Sequence, residues 1–257
     1  MVKYLLKKSY LQKDLKEIDY KDLWNRNGVF TTMWILGKPQ KIIFFNSHIN
    51  NLIKSLKDYK IFKKNTKQQI IEVIKKNIFK KKYYNHLLRI ALDKKIISIS
   101  FRKRNKISKK FSLKPVNYKR IEPQYKNLKY KFILSKLSSL DVKKKDILLC
   151  VKGKVLETGT SNILLVSKNK IYSPINKFYR GNNLKFYEKK FNIIRKNVFI
   201  KDLNQFDEII LIGSGKGVVS VSSIDKLNWK RKNLIIYNKL QNIFNLEIKS
   251  NKYIFKI

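Results

Sequence analysis

Residues 154–166 read KVLETGTSNILLV. The flanks are aliphatic and β-branched, and Thr158, Gly159 and Thr160 between them form a turn signal. The stretch therefore reads as strand, turn, strand, with Glu157 as its one acid. In a chain with 17 acids among 257 residues, a carboxylate on an apolar strand is informative. It is either a surface strand carboxylate or a functional one, and the Thr160-Ser161-Asn162 that follows favours the second.

Working outward, the rest of the chain alternates strands and helices. Residues 29–36 (VFTTMWIL) predict a strand ending at the Gly37-Lys38-Pro39 turn, with 41–45 as its hairpin partner. Ser47 is the expected N-cap of a helix whose apolar stripe is Ile49, Leu52, Ile53 and Leu56. Asn65 or Thr66 caps a second, with Ile70, Ile71, Ile74 and Ile78 at helical spacing. Strands are expected at 87–92 and 96–101. The basic stretch 102–119 (RKRNKISKKFSLKPVNYK) reads as a linker, or as a loop followed by a strand. Beyond it come a helix at 130–140, strands at 147–151 and 208–212, a short strand or turn at 171–174, and a helix from about 183 to 190.

Composition sets limits on partners. Lys and Arg total 60 against 17 Asp and Glu, a formal charge of +43, yet only eight of those cations are arginine. Residues with AT-rich codons abound and Ala91 is the single alanine, so coding bias explains much of the charge. A protein that grips nucleic acid clusters its cations and favours arginine, whereas here lysine is spread along the chain. No specific nucleic-acid partner is expected. With 43% hydrophobic residues, a real core can form, and the length suits one large domain or two small ones. One cysteine, Cys150, excludes an internal disulfide framework and a Cys-based zinc site; His48 and His86 leave little room for a His-rich metal centre. Residues 1–18 hold no signal-peptide pattern and no run approaches 18 apolar residues, so a cytoplasmic protein with no membrane partner is expected.

The eight glycines are scarce enough to mark positive φ or close backbone approach. Three lie in GSGKG (213–217), directly after the strand EIILI, a pattern suited to an anion nest of backbone N–H groups. It is not a Walker A loop, which needs an earlier glycine and a Ser or Thr where this chain has Gly217. Gly181-Asn182-Asn183 is a second nest, and the two could converge on one phosphate.

Residues 154–166 resemble the signature of the fold-type IV pyridoxal-phosphate enzymes, the class IV aminotransferase family. Five further strings resemble its motifs in the same order: NGVFTTMW (27–34), SHINNLIKS (47–55), KNLKY (126–130), YSPINKFYRGNNL (172–184) and DEIILIGSGKGVVSV (207–221). The resemblance implies a mixed α+β fold of two domains, a small N-terminal α/β domain (1–112) and a larger C-terminal β-rich domain with flanking helices (113–257). It also implies pyridoxal 5'-phosphate as cofactor, and a homodimer whose sites lie between the domains.

Carried over by position, Lys126 is the lysine that bonds to the cofactor, 31 residues before Glu157, whose carboxylate meets the pyridine nitrogen. Lys129 and Lys131 are close enough to compete, and the placement before Leu128 and Tyr130 favours Lys126. Asn182, Asn183, Ser214 and Gly215 cradle the phosphate. Two arginines of the family pattern are absent, replaced by Asn51 and Leu184, and Lys54 or Lys216 is expected to supply the charge. In Phe30-Thr31-Thr32, Thr32 assists the chemistry at the cofactor. Thr31 marks the distinction from aminotransferases with F-E-T, and resembles aminodeoxychorismate lyases. The alternative is an aminotransferase acting on branched-chain or D-amino acids. His48, His86 and Cys150 read as packing residues, and Arg89 as a strand-edge surface residue or a substrate-carboxylate contact.

Overall fold

The computed structural model describes residues 4–256. The chain packs as two units, the first made of residues 1–104, 125–131 and 250–257, the second of 105–124 and 132–249. The first crossing thus falls ahead of residue 112, and two later segments return to the N-terminal unit.

In the first unit, six strands form one antiparallel sheet: β1 (Tyr4–Leu11), β2 (Glu17–Ile18), β3 (Gly28–Gly37), β4 (Lys41–Ile42), β5 (Tyr84–Asp93) and β6 (Ile96–Lys103), in the order β2-β1-β6-β5-β3-β4. Helices α1 (Phe45–Asp58) and α2 (Thr66–Asn77) lie between β4 and β5 in sequence. Strand alternation puts Val29, Met33, Ile35, Leu88, Ile90, Ile97 and Ile99 on one face. There they share a core with Ile49, Leu52 and Leu56 of α1 and Ile70, Val73 and Ile74 of α2. The expected hairpin partner of β3 is shorter than its apolar pattern suggests. Phe44 turns into the left-handed region (φ 56°), and α1 begins at Phe45 rather than after Ser47.

The second unit holds an eight-stranded mixed sheet. Its strands are β7 (Phe111–Asn117), β8 (Lys145–Val151), β9 (Lys154–Thr158), β10 (Asn162–Ser167), β11 (Lys170–Ser173), β12 (Ile193–Arg195), β13 (Glu208–Gly213) and β14 (Gly217–Ile224). Their order is β12-β11-β10-β13-β14-β7-β8-β9, with β7 parallel to both neighbours. Past the last two residues of β6, the basic stretch 102–119 is therefore a loop followed by a strand. One face packs Phe111, Leu148, Ile163, Leu211 and Val219 against Val198, Leu203, Phe206 and Trp229. Cys150 lies in this cluster, and burial pushes its thiol up to about 12. Helices α3 (Lys131–Ser138), α4 (Asn182–Glu188) and α5 (Ile235–Lys249) complete the chain, and the Tyr187 hydroxyl of α4 donates to Leu240 O of α5 at 2.9 Å. Among the described residues no helix is long and apolar enough to cross a membrane.

Candidate active site

The first unit places Lys126 through a short strap, residues 125–131. Phe30 N–H donates to Lys126 O at 2.8 Å and Leu128 N–H to Gly28 O at 2.9 Å, so the strap runs beside the start of β3. The glycine is required: a Cβ on Gly28 would lie 2.2 Å from Leu92 O and 2.7 Å from Leu128 Cδ1. Lys126 Nζ sits 5.0 Å from the Phe30 ring centroid. Phe30 in turn meets Trp24 and Tyr130 edge-on, at 4.9 and 5.5 Å between centroids. Lys131, by contrast, is exposed at the start of α3.

Alternation along β3 separates the two threonines. Thr32 pairs with Arg89 of β5 and shares the face of Phe30 and Trp34. Thr31 points the other way and is buried, its hydroxyl 2.7 Å from His48 Nδ1. Burial, with the Lys126 charge as a second cause, pushes His48 down to about 3, so the imidazole is neutral at working pH. Arg89 is not a surface residue: its side chain is 13% exposed, pairs with the Asp22 carboxylate and carbonyl, and stacks 3.6 Å over Trp24. Asn51 and Lys54 lie on α1, half-buried and exposed respectively.

The second unit gathers the remaining residues around the β9–β10 turn. Glu157 is buried, and its Oε1 accepts from Arg120 Nε at 2.8 Å. Tyr179 N–H approaches Oε2 at 3.4 Å. Asn162, five residues on, clamps the loop before α4. Its Oδ1 accepts from Gly181 N–H at 3.0 Å and its Nδ2 donates to Tyr179 O at 2.6 Å. On the other side, a Cβ on Gly213 would lie 2.9 Å from Ser161 Oγ. The Gly181-Asn182-Asn183 and GSGKG segments thus both border Ser161-Asn162.

Two features at this junction fit a bound polar group. Asn183 is 2% exposed, and neither atom of its side-chain amide has a hydrogen-bond partner; the buried Ser161 Oγ has none either. A buried amide left unpaired costs roughly 1–3 kcal/mol, and such groups are rare in native folds. Asn182 is also buried, while Ser214 and Gly215 are half-buried at the tip between β13 and β14.

Lys216 does not stand by as a spare cation. Its Nζ is 2.5 Å from Oδ2 of the fully buried Asp146 and 2.7 Å from Thr160 Oγ1. The Thr158 and Thr160 hydroxyls donate to the same carboxylate oxygen, at 3.0 and 2.7 Å. This cluster ties the GSGKG loop to the β9–β10 turn. Neither Asp146 nor Arg120 stood out in the sequence. The signal for Asp146 was an acid at the head of an apolar strand, the same signal that exposed Glu157.

Residues 28–224 match the family model described as amino-transferase class IV. A search of curated proteins finds no match. Among solved structures, the chain is similar to a branched-chain aminotransferase from Thermoproteus uzoniensis with norvaline, at TM-score 0.76 and 16% identity over 96% of each chain. It is similar to a hypothetical aminotransferase from Mycobacterium tuberculosis in its PLP-bound form, at TM-score 0.74 and 14% identity over 95% of this chain and 99% of that one. A Legionella pneumophila protein provisionally assigned as a 4-amino-4-deoxychorismate lyase matches at TM-score 0.68 and 19% identity, over 86% and 91%. At such identities these likenesses show the fold alone.

Proposed function

This chain belongs to the class IV aminotransferase family, and on that premise we propose that it is a pyridoxal-phosphate enzyme converting 4-amino-4-deoxychorismate to 4-aminobenzoate and pyruvate. Bound pyridoxal phosphate supplies an electron-withdrawing ring that stabilises negative charge beside the substrate's amine carbon. Lys126 supplies the amine that holds the cofactor and then takes the ring proton of the substrate. Glu157, a buried side chain, would meet the pyridine nitrogen. Asn182, Asn183, Ser214 and Gly215 hold the phosphate, and the unpaired Asn183 amide supports that assignment. With Lys216 held by Asp146, Lys54 is the cation left to stand in for the family's phosphate arginine. The cradle itself is built from amide, hydroxyl and backbone donors. Thr32, on the Phe30 face of β3, assists at the cofactor. As in the family, the active form is taken to be a homodimer.

The observation that carries the lyase reading is Phe30-Thr31-Thr32, with a hydroxyl at Thr31 where F-E-T sequences hold a carboxylate. The second reading is transamination between an amino acid and a 2-oxo acid, the activity for which the Thermoproteus uzoniensis protein is named; Thr32 is common to both. Purified protein given 4-amino-4-deoxychorismate should release 4-aminobenzoate and pyruvate in equal amounts. Glutamate formed from 2-oxoglutarate and a branched-chain or D-amino acid, with no 4-aminobenzoate, would establish the second reading instead.

A further inference from the structure

Of the eight arginines in this lysine-rich chain, Arg120 is buried, with its side chain 4% exposed. Its Nε donates to Glu157 Oε1 at 2.8 Å, and Glu157 is itself 7% exposed on the side chain. The far end of the guanidinium is anchored as well, with Nη2 donating to Pro123 O at 3.0 Å. The cation is therefore held along two edges of its planar fork.

The choice of arginine has a physical meaning. Burying two charges is expensive, and a buried lysine keeps its proton only while a carboxylate stays beside it. Arginine keeps its proton in any setting, so its partner carboxylate always faces a full positive charge. A carboxylate buried without such a partner gains a proton rather than stay charged.

We propose that Arg120 is a positioning residue that keeps Glu157 ionised and so places the shared proton on the pyridine nitrogen of the cofactor. This rests on the pyridoxal-phosphate reading above. The proton between a carboxylate and a pyridine nitrogen has two resting places. One gives carboxylate and pyridinium; the other gives neutral acid and neutral ring. A fixed cation 2.8 Å from the carboxylate lies nearer to the negative partner than to the positive one, and so favours the charge-separated state. Only the protonated ring withdraws electrons fully, so Arg120 acts on the chemistry through Glu157 without touching the reacting atoms.

The test is nitrogen NMR of holoenzyme carrying cofactor labelled with nitrogen-15 in the ring, where protonation moves the resonance far upfield. The wild type should show the protonated position. Arg120→Gln, which removes the charge but keeps an amide donor, should move the signal to the neutral position; Arg120→Lys should leave it protonated. A protonated ring in folded Arg120→Gln would overturn the proposal. Should Arg120→Gln not fold, Arg120→Lys decides alone: a neutral ring with the charge retained overturns it, and a protonated ring supports it. Failure of the underlying reading looks different, because wild-type protein would then take up no labelled cofactor.

Discussion

The Thr31 hydroxyl lies 2.7 Å from Nδ1 of His48, and both side chains are buried beneath the start of α1. With its protonation held down to about 3, against 6.5 for an ordinary histidine, His48 binds no proton in the folded protein across that interval, while the unfolded chain does. The unfolded state thus carries more bound protons, and stability rises with pH through this window. The contribution is complete above about pH 6.5 and is lost as pH falls toward 3. Replacing His48 by Gln should flatten the pH dependence of unfolding free energy by up to about 1.4 kcal/mol per pH unit in that range. Identical slopes for the two proteins would refute the neutral buried imidazole.

Lys216 should matter to stability more than to phosphate binding. Lys216→Met leaves the buried Asp146 without this cation, at a cost of about 3–5 kcal/mol. Lys216→Met/Asp146→Asn should recover a substantial part of that loss, so a double-mutant cycle read by urea unfolding gives a large coupling. Additive effects would mean that the contact stabilises nothing. If Lys216 held the phosphate instead, the single variant would lose cofactor affinity while the apoprotein kept its stability.

Helix α5 starts on a carboxylate from another strand. The two oxygens of Glu208, fully buried on β13, accept from Ile236 N–H and Tyr237 N–H at 2.8 and 2.9 Å. The first turn of α5 has no acid of its own. Glu208→Gln should cost about 1–2 kcal/mol, because a charge at a helix N-terminus and charge-assisted bonds are both lost. Amide exchange in the first turn of α5 should quicken with it. Unaltered exchange there would show that the cap contributes little.

Asn183 offers a signature that packing residues lack. Asn183→Leu removes two unpaired buried polar atoms, so the apoprotein should be as stable as the wild type or more so. Cofactor affinity should fall about 5- to 30-fold, the equivalent of about 1–2 kcal/mol of lost hydrogen bonding. Ser161→Ala should weaken binding in the same direction. An apoprotein destabilised by Asn183→Leu, with affinity intact, would place the amide in the fold and not in the cradle.

The elements that could be read from sequence are those whose signal is local. β3, β5, β6, β9 and β10 emerge from alternation and turn residues, whereas the pairing does not: β9 is hydrogen-bonded to β8, and β10 to β11 and β13. β1 escaped notice because YLLKKSYL mixes lysines into both faces and makes sense only beside β6. α5 escaped because its local cap is only Asn233, whose Oδ1 accepts from Ile235 N–H, and the carboxylate on its next two amides comes from Glu208, far back in the chain. The same holds for the site. Glu157 and the scarce glycines stood out against the composition, while Arg120 was hidden among 60 cations and drew its meaning only from burial beside Glu157. Lys216 shows the converse, since its charge reads as available in the sequence and only the fold sets Asp146 beneath it.

The claim that this protein works through a cofactor bonded to Lys126 has one direct measurement: the absorbance spectrum of the purified protein after incubation with pyridoxal phosphate and removal of the excess. The account predicts a retained visible band that borohydride bleaches, leaving the cofactor covalently fixed to the peptide that contains Lys126, and no such fixation in Lys126→Ala. A band that survives Lys126→Ala with fixation at Lys129, or no retained band in the wild type, would contradict it.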